Sequence, residues 1–264
     1  MSILQSFLFF IVSFVASTAG AICGVGGGVI IKPTLDLFQW ASASAISFLS
    51  GCTVLSMSCY CIIKSMAAKE KSVNLKTGTP LAVGAAIGGV AGNHLFRLVK
   101  SLFVNGNAVG GVQAVCLAII TLCTLVYTLT KNCIQTKQVK SPVACVGIGM
   151  LLGLMSSFLG IGGGPINLMV LSFFFSMNTK TAAVNSLYII MFSQFASFAT
   201  SIITRTVPEV SVTTLALMVA GGILGGAAGR FVNKKVDNNA VEKIYICLIA
   251  VIIAISCWNA YRLL

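Results

Sequence analysis

The sequence predicts an all-α polytopic membrane protein of about eight transmembrane helices built from two homologous repeats, and three observations carry that prediction. Of 264 residues, 57% are hydrophobic and 8% charged, with a mean hydropathy of +1.00, whereas a soluble domain carries about 25% charged residues. Apolar runs long enough to cross a bilayer, about 20 residues each, recur along the whole chain. A glycine pattern also returns at one fixed interval. A water-soluble enzyme is excluded.

The spans follow from apolar runs bounded by polar or charged clusters, in order 3–22, 42–63, 78–96, 108–130, 142–160, 182–203, 211–229 and 241–261. The first, ending in the small residues Ala16–Gly20, looks like a signal peptide but lacks the basic leading region. Shorter apolar pieces at 27–38 and 162–177 follow glycine clusters. The formal charge of +12 comes from Lys and Arg between the apolar runs. There they act as topology anchors and contacts for anionic lipid, not as a nucleic-acid surface.

Cys23, Cys52, Cys59, Cys61, Cys116, Cys123, Cys145, Cys247 and Cys257 lie in or beside apolar spans without CxxC spacing, and are expected to be small buried hydrophobes. A metal site is disfavoured because His94 is the only histidine and no carboxylate cluster accompanies it. No cofactor is expected.

The repeat is read from two patterns. Gly24-Val25-Gly26-Gly27-Gly28 returns as Gly160-Ile161-Gly162-Gly163-Gly164, an offset of 136. Gly84, Gly88 and Gly92 return as Gly221, Gly225 and Gly229, an offset of 137. The expected organisation is a first repeat over 1–131, a linker over 132–140 and a second repeat over 141–264. Lys64, Lys69, Lys71 and Lys76 load one loop of the first half, with only Arg97 and Lys100 in the next. The second half reverses the bias, with Arg205 alone and then Arg230, Lys234, Lys235 and Lys243. By the positive-inside rule this favours inverted halves, provided that the short segments after the glycine loops return across part of the membrane. Arg230 and Lys243 snorkelling from helix ends is the alternative.

Four glycines within five residues, each costing about 1 kcal/mol of helix propensity, break the helix. Broken backbone inside a bilayer is tolerated where it is buried in protein or lines a watery cavity. A new helix starting there presents free N–H groups and its positive dipole end, which together suit an anion. Two such loops meeting near the midplane would give the transporter arrangement of discontinuous helices. The candidate substrate-binding residues are therefore Gly24, Gly26, Gly27, Gly28, Gly160, Gly162, Gly163 and Gly164, joined by the polar side chains of Asn167, Asn185, Ser186 and Ser47. Gln194 lies further along the same span as Asn185. Interhelical hydrogen bonding is the alternative role for these polar groups, and close helix packing is the expected role of the GxxxG stripes. Lys32 and Asp36 are spaced to pair on one helix face. A surface pair at a helix end is the expectation, with anion attraction or proton coupling as alternatives. His94, beside Arg97, is a further coupling or gating candidate.

These residues resemble the TauE/SafE family of sulfite exporters, also called the toluene-sulfonate uptake permease family. The matches are Gly24–Gly28, Gly160–Gly164, Ala183-Val184-Asn185-Ser186, Gly88–Gly92 and Gly225–Gly229, over essentially the full chain. The chain departs from the family where Ser47 and Asn185 replace a common Thr-Ser pair. The resemblance implies secondary transport of small sulfur-containing anions such as sulfite, sulfonates or sulfoacetate, coupled to a proton or ion gradient. The expected setting is the cell membrane, multi-pass, with a homo-oligomer as an open alternative. An anion channel is the nearest rival reading. An intramembrane enzyme lacks acid–base equipment, and a structural assembly protein would leave the duplicated loops unexplained.

Overall fold

The computed structural model describes residues 3–68, 75–102 and 106–263; Lys69 and Lys71 lie outside them. The chain forms α1 (Ile3–Cys23), α2 (Gly28–Phe38), α3 (Ala43–Ala67), α4 (Leu75–Leu102), α5 (Gly106–Thr130), α6 (Pro142–Leu159), α7 (Pro165–Phe175), α8 (Thr179–Ile203), α9 (Val212–Lys235) and α10 (Asn238–Leu263). A 3-10 turn at Lys131–Cys133 follows α5, and no strand occurs among the described residues. Eight of these helices are long and apolar enough to cross a membrane, one for each expected span. The two short apolar pieces are α2 and α7, of 11 residues each. At 1.5 Å per residue such a helix reaches only about half-way through a bilayer core.

Local chemistry sets the helix ends. Ser42 caps α3 by accepting the Ala45 N–H at 3.3 Å, and Asn178 caps α8 by accepting the Thr181 N–H at 2.9 Å. Pro142 and Pro165 open α6 and α7, where a missing N–H costs nothing. The breaks after α1 and α6 fall on glycines with positive φ, Gly24 at 74° and Gly160 at 65°.

In the packing, α1 lies along α9 and α6 along α4; α3 sits against α9 and α8 against α4; α5 pairs with α10. The GxxxG stripes make the first two contacts. A Cβ on Gly84, Gly88 or Gly92 would fall within 2.4 Å of a backbone carbonyl oxygen of α6, and one on Gly225 or Gly229 within 2.5 Å of one on α1. Backbones can approach this closely only where side chains are absent. Large apolar side chains such as Val15, Ile119, Val143, Phe195 and Val212 cover the outside of the bundle, as a lipid-facing surface requires.

α3 and α8 run antiparallel through the centre. The Phe48 and Phe198 rings stack with centroids 6.0 Å apart, Gly51 faces Gln194, and Val54 and Ile190 both flank Gly26. Val54 and Ile190 sit near the midpoints of these two 25-residue helices. The glycine loops that touch them are therefore level with the middle of the bundle.

Two sequence expectations are corrected. Cys123, Cys247 and Cys257 are exposed on the bundle's outer surface, because the spans carrying them turn that face outward; Cys23, Cys52, Cys61 and Cys145 are buried. The Lys32–Asp36 pair forms at 3.0 Å but is buried, with side chains 3% and 8% exposed. Since α2 is a short helix inside the bundle, the pair is not on a surface.

Candidate functional site

The two glycine loops meet directly. The Gly164 N–H donates to the Val25 carbonyl at 3.0 Å, and a Cβ on Gly26 would lie 3.0 Å from the Gly162 carbonyl oxygen. Gly24, Gly26, Gly27, Gly28, Gly160, Gly162, Gly163 and Gly164 are all buried. Gly24 abuts Ala183, Gly27 abuts Ser17, Gly28 abuts the Ile161 carbonyl, and Gly163 abuts Ile190 and Asn167. The loops thus pack on each other and on α3 and α8.

The largest cavity lies beside them. It has a volume of about 260 Å³ and runs from the ends of α4 and α8 down to Gly160, between the first half of α3 and the second half of α8. Arg97 and Lys100 stand among its lining residues with Thr206 and Pro208 of the α8–α9 connection; Ser44, Ser47, Ser157, Ser197 and Ser201 supply hydroxyls, and Asn93 and Gln194 amides. No carboxylate lines it. Asn93 Nδ2 donates to the Ser197 carbonyl and to Ser201 Oγ at 3.2 and 3.0 Å, and Gln194 Nε2 donates to Ser156 Oγ at 3.1 Å. Near its glycine end the hydroxyls of Ser47 and Ser157 are buried with no protein partner. A buried hydroxyl left unpaired costs about 1–3 kcal/mol, so both are set up to receive a ligand or water.

Of the candidates read from sequence, Gly160 and Ser47 line this cavity and the others do not. Asn185 is buried on α8 and donates to the Thr181 carbonyl at 2.8 Å, close to Gly78 of α4. Ser186 Oγ and Asn167 Oδ1 are buried without a protein partner behind the loops. Lys32 and Asp36 share a small cavity of about 10 Å³ with Gln113, Ser256 and Asn259. Gln113 Oε1 and Ser256 Oγ are again unpartnered there. His94 is exposed and hydrogen-bonded by Arg97 at 2.9 Å. Asn93, Ser157, Ser197 and Ser201 escaped the sequence reading. Their signal was present all the same: each is a polar side chain inside a membrane span, and such groups face the bundle interior.

Ten apolar helices, two of them half-length and joined through buried glycine breaks, around a cation-fronted cavity, define a multi-pass membrane transporter and not an enzyme. The family described as Sulfite exporter TauE/SafE matches residues 9–256, and the chain belongs to that family. It is 25% identical to a probable membrane transporter protein, YunE, of Bacillus subtilis (strain 168), over 98% of both chains. No solved structure matches.

Proposed function

We propose that the protein is a secondary active transporter of small sulfur-containing or organic oxyanions, of the sulfite and sulfonate type, and that the 260 Å³ cavity is the anion's vestibule. The observation that carries this is the lining: two cations at the mouth, hydroxyls and amides below, and no carboxylate. Hydroxyl and amide donors strip and replace an oxyanion's hydration, and hydrogen bonds to a charged group contribute about 1.5–3 kcal/mol each. Gly160 closes the floor, where a Cβ would lie 2.6 Å from Ser47 Oγ; absence of a side chain lets the anion reach that hydroxyl. The glycine loops serve as the packed joint between the two halves, so the anion sits beside them and not between them.

The driving ion is a proton, handled at the Lys32–Asp36 pair. An ion pair buried in a bundle is costly and marks function in membrane proteins, and two unpartnered acceptors adjoin this one. The test is thermal unfolding of the purified protein with sulfite, sulfate, thiosulfate, sulfonates and carboxylates, since a ligand that binds the folded state stabilises it by mass action. Small oxyanions raise the unfolding temperature and the shift shrinks in Arg97→Gln. A flat response across the panel would remove the reading.

A further inference from the structure

We infer that the protein contains a second anion vestibule at the opposite end of the α3–α8 pair, the shut counterpart of the first; this rests on the anion-transport reading above. A cavity of about 40 Å³ lies there, between the second half of α3, the first half of α8, and the C-terminal ends of α1 and α9. All ten residues lining it stand at the repeat interval from a residue lining the large cavity. The interval is 136 residues for α1 with α6 and α3 with α8, and 137 for α4 with α9. Thus Ala21 answers to Ser157, Cys61 to Ser197, Ser65 to Ser201, Ala183 to Ser47 and Lys234 to Arg97. Unrelated gaps between helices would not repeat one interval at every lining position.

The two cavities differ in size and not in parentage. A cavity needs roughly 10–15 Å³ to hold one water, so the first admits an anion with its waters and the second a few waters only. Each ends on its own glycine contact, Gly160 against Ser47 and Gly24 against Ala183. Between them Val54 and Ile190, themselves 136 residues apart and fully buried, close over Gly26 and Gly162. Seven residues of α3 separate Val54 from Ser47 on one side and from Cys61 on the other, about 10 Å each way. The plug therefore sits midway. Two homologous halves with exchangeable geometry give a second state of similar energy in which the small cavity widens and the large one shuts.

Charge orients the path. Lys64, Lys131, Lys180, Lys235 and Lys243 gather with Arg230 and Lys234 at the end of the small cavity, while Arg97, Lys100, Arg205 and Arg262 lie at the other. By the positive-inside rule the small cavity faces the inner side, and the structure holds the outward-open state.

Two native thiols report on this, since Cys52 lines the large cavity and Cys61 the small one. The intact chain in sealed vesicles of known orientation is treated with the membrane-impermeant anion sulfonatoethyl methanethiosulfonate or its trimethylammonium counterpart, and modification is mapped by mass spectrometry. Cys52 should react from the outer face and Cys61 from the inner face, each about tenfold faster with the anion. At Cys61 that preference should vanish in Arg230→Gln/Lys234→Gln. Ser197→Trp, which fills the large cavity, should slow Cys52 and accelerate Cys61 several-fold. A reactive Cys52 with Cys61 inert from both faces, or with Cys61 indifferent to reagent charge, overturns the second vestibule. Charge indifference at Cys52, with no anion stabilising the protein, instead removes the transport reading and the vestibule with it.

Discussion

Gly24→Ala is the smallest change that tests whether the glycine loops are a packed joint. Gly24 has a φ of 74°, and a Cβ there would lie 2.2 Å from Ala183 Cα and 2.4 Å from Ala183 Cβ. An L-residue in the left-handed region loses roughly 1–2 kcal/mol, and forcing a methyl into filled space costs about 1–3 kcal/mol more. The contact is with backbone, so no side-chain rotation relieves it. The expected loss is about 2–5 kcal/mol. Gly147 on α6 provides the control, because a Cβ there meets nothing within 4 Å; Gly147→Ala gains up to about 1 kcal/mol of helix propensity. Reversible unfolding in mixed micelles of increasing denaturing-detergent fraction separates the two. Transport by Gly24→Ala should fall in step with its stability, since the joint and the path share these contacts. Equal stability for both variants, within about 0.5 kcal/mol, would refute the packed joint.

Asp36→Asn leaves the buried Lys32 ammonium without its partner and should destabilise the protein by about 3–5 kcal/mol, whereas Lys32→Met/Asp36→Leu should restore stability to near wild type. The same double variant should lose accumulation driven by a pH gradient but keep exchange of anion for anion; retained uphill accumulation would make the pair purely structural. Ser47→Ala removes an unpartnered buried hydroxyl and should leave stability unchanged while weakening anion binding about tenfold, or 1.4 kcal/mol. Asn185→Ala should change affinity less than twofold, because Asn185 lies off the cavity on a backbone carbonyl, and titration calorimetry on both variants decides the order.

The membrane architecture was legible because span length and glycine punctuation are local properties. Both short helices were readable as apolar pieces after the loops, since three consecutive glycines cannot propagate a helix. The site was less legible. Glycines mark where backbone breaks, and it was natural to place a ligand at the break. In the folded chain those breaks are filled by each other, through Gly164 N–H on the Val25 carbonyl and Gly28 against Ile161. The cavity forms one layer away, where α3 and α8 diverge, and which faces diverge depends on long-range packing that no single span encodes. Lys32 and Asp36 show the same limit. Their spacing announces a pair, but its burial comes from α5 and α10, more than 70 residues distant in sequence.

Anion flux itself tests the central claim most directly. The protein is reconstituted into sealed liposomes, and uptake of radiolabelled sulfite is followed with and without an imposed pH gradient. Saturable uptake that exceeds equilibrium under the gradient, competes with other small oxyanions and is reduced in Arg97→Gln is the predicted result. Uptake that never exceeds equilibrium and does not saturate would mark a channel, and no uptake of any oxyanion in the panel would contradict the account.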